Sequence, residues 1–195
     1  MKAVILAGGE GTRLRPLTCN LPKPMVPILN RPYLEHLLLR LKQQNMDEVS
    51  LTLSYLPEII EEFFGTGKSL GLRLSYSVEE YPLGTAGAIK KLEHTLNDTF
   101  VVFNGDIFTD LDLMDAVRFH REKGAIATIV LTAVENPSKY GVVEADTSGK
   151  VKRFLEKPGE ADSRTAWVNA GTYILEPQVL QYIPSDEYYM FERGL

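Results

Sequence analysis

Apolar and polar positions follow two regimes along this chain. Almost uninterrupted apolar runs from Lys2 to Ala7 and Phe100 to Phe103 predict short strands buried on both faces, and Leu51 to Ser54 reads as a further strand between them. Between them the spacing turns helical. Leu34, Leu37, Leu38 and Leu41 follow Asn30-Arg31-Pro32, and Ile59, Ile60, Phe63 and Phe64 follow Pro57 as one apolar face that closes at Gly65 and Gly67. Leu72 to Val78 alternates as a strand and Thr85 to Leu92 reads as a helix. Asp110 and Asp112 are candidate caps of a helix that runs to about Lys123. From Ala127 to Val134 the chain is β-branched again. Strands then dominate: Gly141 to Glu144, Val151 to Leu155 and Val168 to Leu175, with turns at Ser148-Gly149 and Lys157-Pro158-Gly159 and a short helix from Pro177.

Strands alternating with helices over the first two thirds predict an α/β fold, a Rossmann-like, mostly parallel sheet flanked by helices, with strands added in the last third. No linker-like change of composition divides the chain, so residues 1–195 read as one domain. Ligands of such sheets bind outside the carboxyl ends of the central strands, where Gly8 and Asp106 fall.

Composition narrows the function classes. The 195 residues suffice for one sizeable core, and a net charge of -5 argues against a nucleic-acid-binding surface. No apolar run approaches the roughly 18 residues of a membrane span, and the first apolar run meets glycine too early for a signal peptide, so the expected location is the cytoplasm. The single cysteine, Cys19, reads as a small loop residue. His36, His94 and His120 fall in predicted helices without metal-ligand spacing and read as structural or surface residues.

The first strand feeds the segment Leu6-Ala7-Gly8-Gly9-Glu10-Gly11-Thr12-Arg13-Leu14-Arg15-Pro16-Leu17. Glycines let backbone N–H groups approach a phosphate, and Arg13, Arg15 and Lys23 add cations suited to polyphosphate oxygens. A dinucleotide fingerprint starting at Gly9 fails at Leu14, which weighs against an oxidoreductase, and there is no Walker P-loop.

Gly8-Gly9-x-Gly11-Thr12-Arg13-Leu14-x-Pro16-Leu17-Thr18 followed by Pro22-Lys23-Pro24-Met25 resembles the signature of sugar-1-phosphate nucleotidylyltransferases. The likeness continues through Pro82-Leu83-Gly84-Thr85-Ala86-Gly87, Asn104-Gly105-Asp106, Tyr140-Gly141-Val142-Val143, Glu156-Lys157-Pro158 and Asn169-Ala170-Gly171. Within that family it is most similar to mannose-1-phosphate guanylyltransferases. The resemblance implies that Arg13 and Lys23 bind and activate a nucleoside triphosphate and that Asp106 holds Mg2+. Ala7, Gly8, Gly9, Gly11, Thr12, Glu79, Pro82, Gly84, Thr85, Asn104 and Gly105 would form the nucleotide site. Lys157 would grip the sugar phosphate, with Tyr140, Gly141, Glu156 and Asn169 around the sugar.

The implied partners are a nucleoside triphosphate and a sugar 1-phosphate, with no nucleic acid or membrane, and self-association is compatible with the reading. Glu79 and Glu80 both precede the segment assigned to the nucleobase. A carboxylate there matches the adjacent N1–H and 2-amino donors of guanine, whereas uracil and thymine present one donor between two acceptors; the alternative is that both glutamates face water. GTP and mannose 1-phosphate are thus the favoured substrates. A glucose-1-phosphate thymidylyl- or uridylyltransferase and a non-catalytic nucleotide-sugar-binding relative are the alternatives. Family members bring a second metal-binding aspartate from a later W-x-D-x-G-like segment, which nothing after Asn169 matches. The expectation is therefore a chain shortened at its C-terminus, with Tyr189 to Leu195 approaching a further helix.

Overall fold

The period-2 alternation of the strands decides how the layers assemble. In β1 (Lys2–Leu6), Ala3 and Ile5 point into one apolar cluster and Val4 into a second on the opposite face. A computed structural model describes residues 1–156 and 166–194. Its remaining elements are β2 (Pro27–Ile28), β3 (Arg31–Pro32), α1 (Tyr33–Gln43), β4 (Glu48–Leu53), α2 (Pro57–Phe64), β5 (Arg73–Val78), α3 (Gly84–Lys90), β6 (Phe100–Asn104), α4 (Leu113–Lys123), β7 (Ala127–Ala133), β8 (Gly141–Ala145), β9 (Val151–Glu156), β10 (Trp167–Leu175) and α5 (Phe191–Gly194).

The main sheet runs β5-β4-β1-β6-β10-β8-β9, with β7 on the other edge of β10. Strands β5, β4, β1 and β6 are parallel; β6, β10, β8 and β9 pair antiparallel in turn. The α/β class and the added strands expected of the last third are both present. Strand β10 joins the two regions: Thr172–Leu175 pair with β6, while Val168 pairs with β8. Gly171 lies between the two pairings with φ 64°.

One apolar cluster packs α1, α2 and α4 against Ala3, Ile5, Val101, Phe103 and Ile174. The other packs α3, Val179, Leu180, Ile183 and Phe191 against Val4, Phe100, Val102, Tyr173 and Leu175. The result is a three-layer sandwich. Helix α4 starts at Asp112, whose carboxylate accepts from the Met114 and Asp115 N–H groups at 2.9 and 3.2 Å, and it ends at Gly124. Asp110, the other candidate cap, does not take this role. Phe63 departs from the expected apolar face of α2: Ile60 and Phe64 are buried, but Phe63 is 55% exposed and packs edge-on against Phe64.

His120 is buried rather than superficial. Its Nδ1 lies 2.8 Å from Thr128 Oγ1 and its Nε2 3.0 Å from Glu176 Oε1, which also accepts from Thr99 Oγ1 at 2.7 Å. The imidazole thereby ties α4 to β7 and to the end of β10. His120→Ala is expected to lower stability by about 1–3 kcal/mol, because buried partners lose their bonds. A urea midpoint unchanged from wild type would show that the network adds nothing. Among the described residues, no helix is long and apolar enough to cross a membrane.

Candidate active site

The parallel strands end along one edge of the sheet. Leu6 is in register with Thr52 of β4 and Asn104 of β6, so the segments that follow these strands emerge side by side. They enclose a cavity of about 450 Å³, a size typical of small-ligand sites. Its wall includes Ala7, Gly8, Gly9, Gly11, Thr12, Arg13, Lys23, Glu79, Pro82, Gly84, Thr85, Asn104, Gly105 and Asp106. Positions read from distant parts of the sequence thus share one hollow at the carboxyl ends of β1 and β6.

The glycine turn is held by local bonds. Gly11 adopts φ 62° at the start of a 3-10 turn over Thr12–Leu14, and a Cβ there would lie 2.9 Å from Lys23 Cβ, so a side chain would meet both strain and a clash. Buried Thr18 folds the loop back by donating to the Gly11 carbonyl at 2.8 Å. Tyr55, just after β4, donates to the Thr18 and Cys19 carbonyls at 3.1 and 2.7 Å.

Lys23 opens a second 3-10 turn, Lys23–Met25, anchored by buried Pro24 and Met25. From there its ammonium reaches Asp106 Oδ2 at 2.5 Å, with the two side chains 29% and 42% exposed. Asp106 is itself set from two sides. The Gly105 N–H donates to the Leu6 carbonyl at 2.8 Å, and the Tyr33 hydroxyl donates to the Ile107 carbonyl. Arg13 lines the cavity and is exposed, and none of the described residues pairs with its guanidinium. Arg15, counted with it in the sequence, is absent from the cavity wall and pairs with Glu10 at 3.1 Å.

The two candidate base-reading glutamates separate cleanly. Glu80 is exposed and off the cavity wall, whereas Glu79 is 9% exposed and on it. The Leu83 N–H donates to Glu79 Oε2 at 3.0 Å. Burial raises the Glu79 pKa above the usual carboxylate value, with the Leu83 N–H and the Lys91 charge opposing that shift.

The residues assigned to the sugar phosphate lie elsewhere. Tyr140, Gly141 and Asn169 are outside the cavity wall, but the strand register gathers them: Gly141 opposes Glu156 and Val142 opposes Val168. The Asn169 amide finds the partners that a half-buried amide requires, accepting from Gly171 N–H at 2.8 Å and donating to Tyr173 Oη at 2.7 Å. Lys157 lies outside the described residues.

Ser54, Thr52, Tyr188 and Met190 also line the cavity without having been singled out in the sequence. Ser54 is the last residue of a predicted strand and donates to the Gly8 carbonyl at 2.8 Å, so its place was the signal. Tyr188 carried no signal, and Met190 belongs to the segment read only as approaching a further helix. Among the described residues no cluster of three or more His, Cys, Asp or Glu could hold a metal. Asp106 offers a hard oxygen donor on the cavity wall with the Lys23 ammonium 2.5 Å away, the kind of carboxylate that Mg2+ shares with substrate phosphates and water.

Comparison with known proteins adds an independent line. A profile of the nucleotidyl transferase family matches residues 2–192. The chain is 46% identical to the UTP–glucose-1-phosphate uridylyltransferase of Synechocystis over 97% of its own length and 52% of the relative's. It is 44% identical to the mannose-1-phosphate guanylyltransferase of Mycobacterium tuberculosis over 98% of its own length and 53% of the relative's. The chain therefore spans about half the length of these curated relatives. The crystal structure of HddC from Yersinia pseudotuberculosis complexed with GMP-PN superposes with a TM-score of 0.85 at 31% identity, covering 100% of this chain and 84% of that one.

Proposed function

The chain belongs to the nucleotidyl transferase family, among the sugar-1-phosphate nucleotidylyltransferases, and from that footing we propose that residues 1–195 bind a nucleoside triphosphate and transfer its nucleoside monophosphate to a sugar 1-phosphate, releasing pyrophosphate. The observation that carries this reading is that Arg13, after the glycine turn, and Lys23, paired with Asp106 at 2.5 Å, line one cavity.

The attacking phosphate oxygen is already an anion, so the reaction needs no base. It needs suppression of repulsion between two anions and neutralisation of the charge that builds on the leaving pyrophosphate. Arg13 supplies a fork of donors for phosphate oxygens and Lys23 a mobile point charge. Backbone N–H groups of the glycine turn orient the chain of phosphates, and the cavity holds the base away from water. Asp106 would hold Mg2+, which when bound neutralises phosphate charge. Lys157 is assigned to the sugar phosphate, and Glu156 and Asn169 to the sugar hydroxyls, by resemblance.

We propose GTP as the preferred nucleotide, with mannose 1-phosphate as acceptor. The support is Glu79, a buried carboxylate on the cavity wall whose Oε2 accepts from the Leu83 N–H and whose Oε1 has no hydrogen-bond partner among the described residues, which leaves lone pairs on the carboxylate for the N1–H and 2-amino donors of guanine. The Mycobacterium guanylyltransferase agrees with that choice, and the Synechocystis uridylyltransferase favours the second reading, UTP with glucose 1-phosphate.

Calorimetric titration of GTP, UTP, dTTP and ATP, paired with pyrophosphate release using mannose and glucose 1-phosphates, tests both levels. Failure of every triphosphate to bind would overturn the general reading; tighter binding of UTP than GTP would overturn the choice of base. Glu79→Gln is expected to reduce the preference for GTP over UTP by about 1–3 kcal/mol. Because the folded-state pKa of Glu79 is raised, the cost of ionising it is absent below the unfolded value and appears as pH rises through the folded one. The glutamine variant should gain stability relative to wild type at neutral pH and lose that gain in acid. GTP binding by wild type should weaken as Glu79 takes up its proton, and the variant should lack this dependence.

A further inference from the structure

The segment before α5 crosses the start of α3 as a strap. The Tyr189 carbonyl accepts from the Ala86 and Gly87 N–H groups at 3.0 and 3.1 Å, and the Tyr189 N–H donates to the Leu83 carbonyl at 2.8 Å. Two of the free donors of the first turn of α3, the Ala86 and Gly87 N–H groups, are therefore capped by protein backbone and are not left for a phosphate. A Cβ on Gly84 would lie 2.7 Å from the Tyr189 carbonyl oxygen and one on Gly87 2.6 Å from that of Glu187. These two glycines admit the strap. Its side chains Tyr188 and Met190 then complete the cavity wall.

The strap leads into α5, which carries Glu192. One carboxylate oxygen accepts from Thr85 Oγ1 at 3.2 Å, while Thr85 Oγ1 accepts from the Phe191 N–H at 3.0 Å. The other oxygen accepts from the Tyr173 hydroxyl at 3.0 Å, which in turn accepts from Asn169 Nδ2 at 2.7 Å. Tyr173 and Phe191 stack with ring centroids 5.1 Å apart. Every donor in this chain has one direction: Asn169 to Tyr173 to Glu192, with Thr85 arriving from the opposite side. Thr85 is on the nucleotide cavity wall, and Asn169 is among the residues assigned to the sugar. Glu192 itself is not on the cavity wall.

We propose that Glu192 is a positioning residue that couples the nucleotide cavity to the region assigned to the sugar, so that occupation of the cavity and orientation of Asn169 toward the sugar favour one another. The inference rests on the functional reading above, because it needs both ligands. A carboxylate suits the task, since it accepts from two hydroxyls at once and leaves neither of them unpaired. The linkage is reciprocal: each ligand changes the affinity of the other by the same factor.

The test measures that factor with the α,β-methylene analogue of GTP, which blocks turnover, and mannose 1-phosphate. Each is titrated by calorimetry alone and in the presence of the other. Wild type is expected to show a coupling of about tenfold, falling below about twofold in E192A and T85V. E192Q keeps an acceptor for Tyr173 and should retain most of it. Hydrogen exchange of the Ala86 and Gly87 amides, measured without ligand, should quicken by about tenfold in E192A if the strap is held by this carboxylate. Equal coupling in wild type and E192A overturns the proposal whether or not exchange changes, and T85V decides the matter if E192A does not fold. Binding of both ligands without coupling in wild type overturns this inference alone. Absence of binding by both overturns the functional reading with it.

Discussion

Lys23→Ala is expected to lower kcat/KM for pyrophosphate release by about 2–4 kcal/mol, the scale of a single preorganised charge at a transition state. The fold should survive. Lys23 and Asp106 are both partly exposed, and an exposed pair of this kind contributes about 0–1 kcal/mol to stability, so its loss is small beside the catalytic effect. Arg13→Ala should act in the same direction without disturbing any ion pair among the described residues. Circular dichroism and a urea midpoint confirm folding, and turnover is followed beside GTP binding. Near-wild-type turnover in both folded variants would remove these cations from the reaction.

Asp106→Asn breaks the same pair and should have a different outcome. In chelator, GTP is expected to bind at least as well as to wild type, because an amide holds Lys23 less strongly than a carboxylate and releases its charge to the phosphates. With added Mg2+ the wild type should gain affinity and turnover, and the variant should lose most of that increment. The two substitutions thus carry opposite signs for binding in chelator, although each removes one half of a 2.5 Å contact. Direct Mn2+ titration checks the assignment. An unchanged metal increment in Asp106→Asn would place the cation on other groups.

Much of this site was legible because its parts have local signatures. The apolar run of β1 ends in glycine, and that of β6 ends at Asn104-Gly105-Asp106. Both runs are buried on two faces, so their carboxyl ends had to fall on one edge of a parallel sheet. Sheet order was less accessible. A period of two tells which face a residue takes, but Val101 and Phe103 say nothing about which strand covers the edge of β6, and its partner is the distant β10. The strap was hidden for another reason. Its hold on α3 comes largely from the carbonyl of Tyr189, a group that any residue carries, so no side-chain pattern announces it. Asn169 was legible as an amide in need of partners, yet the identity of Tyr173 as one of them depends on the turn at Gly171.

The position of β10 between β6 and the β8-β9 hairpin also sets an order of events during synthesis. The parallel set β5-β4-β1-β6 is complete once Asn104 has emerged from the ribosome, but the open edge of β6 waits for Thr172–Leu175. At about 5–20 residues per second the intervening chain takes several seconds to appear. Through that interval Phe100, Val101, Val102 and Phe103 present an unpaired, strongly apolar edge to any neighbouring nascent chain. The wait for β10 is therefore a step exposed to aggregation in making this chain, and conditions that slow elongation between Asn104 and Thr172 lengthen it.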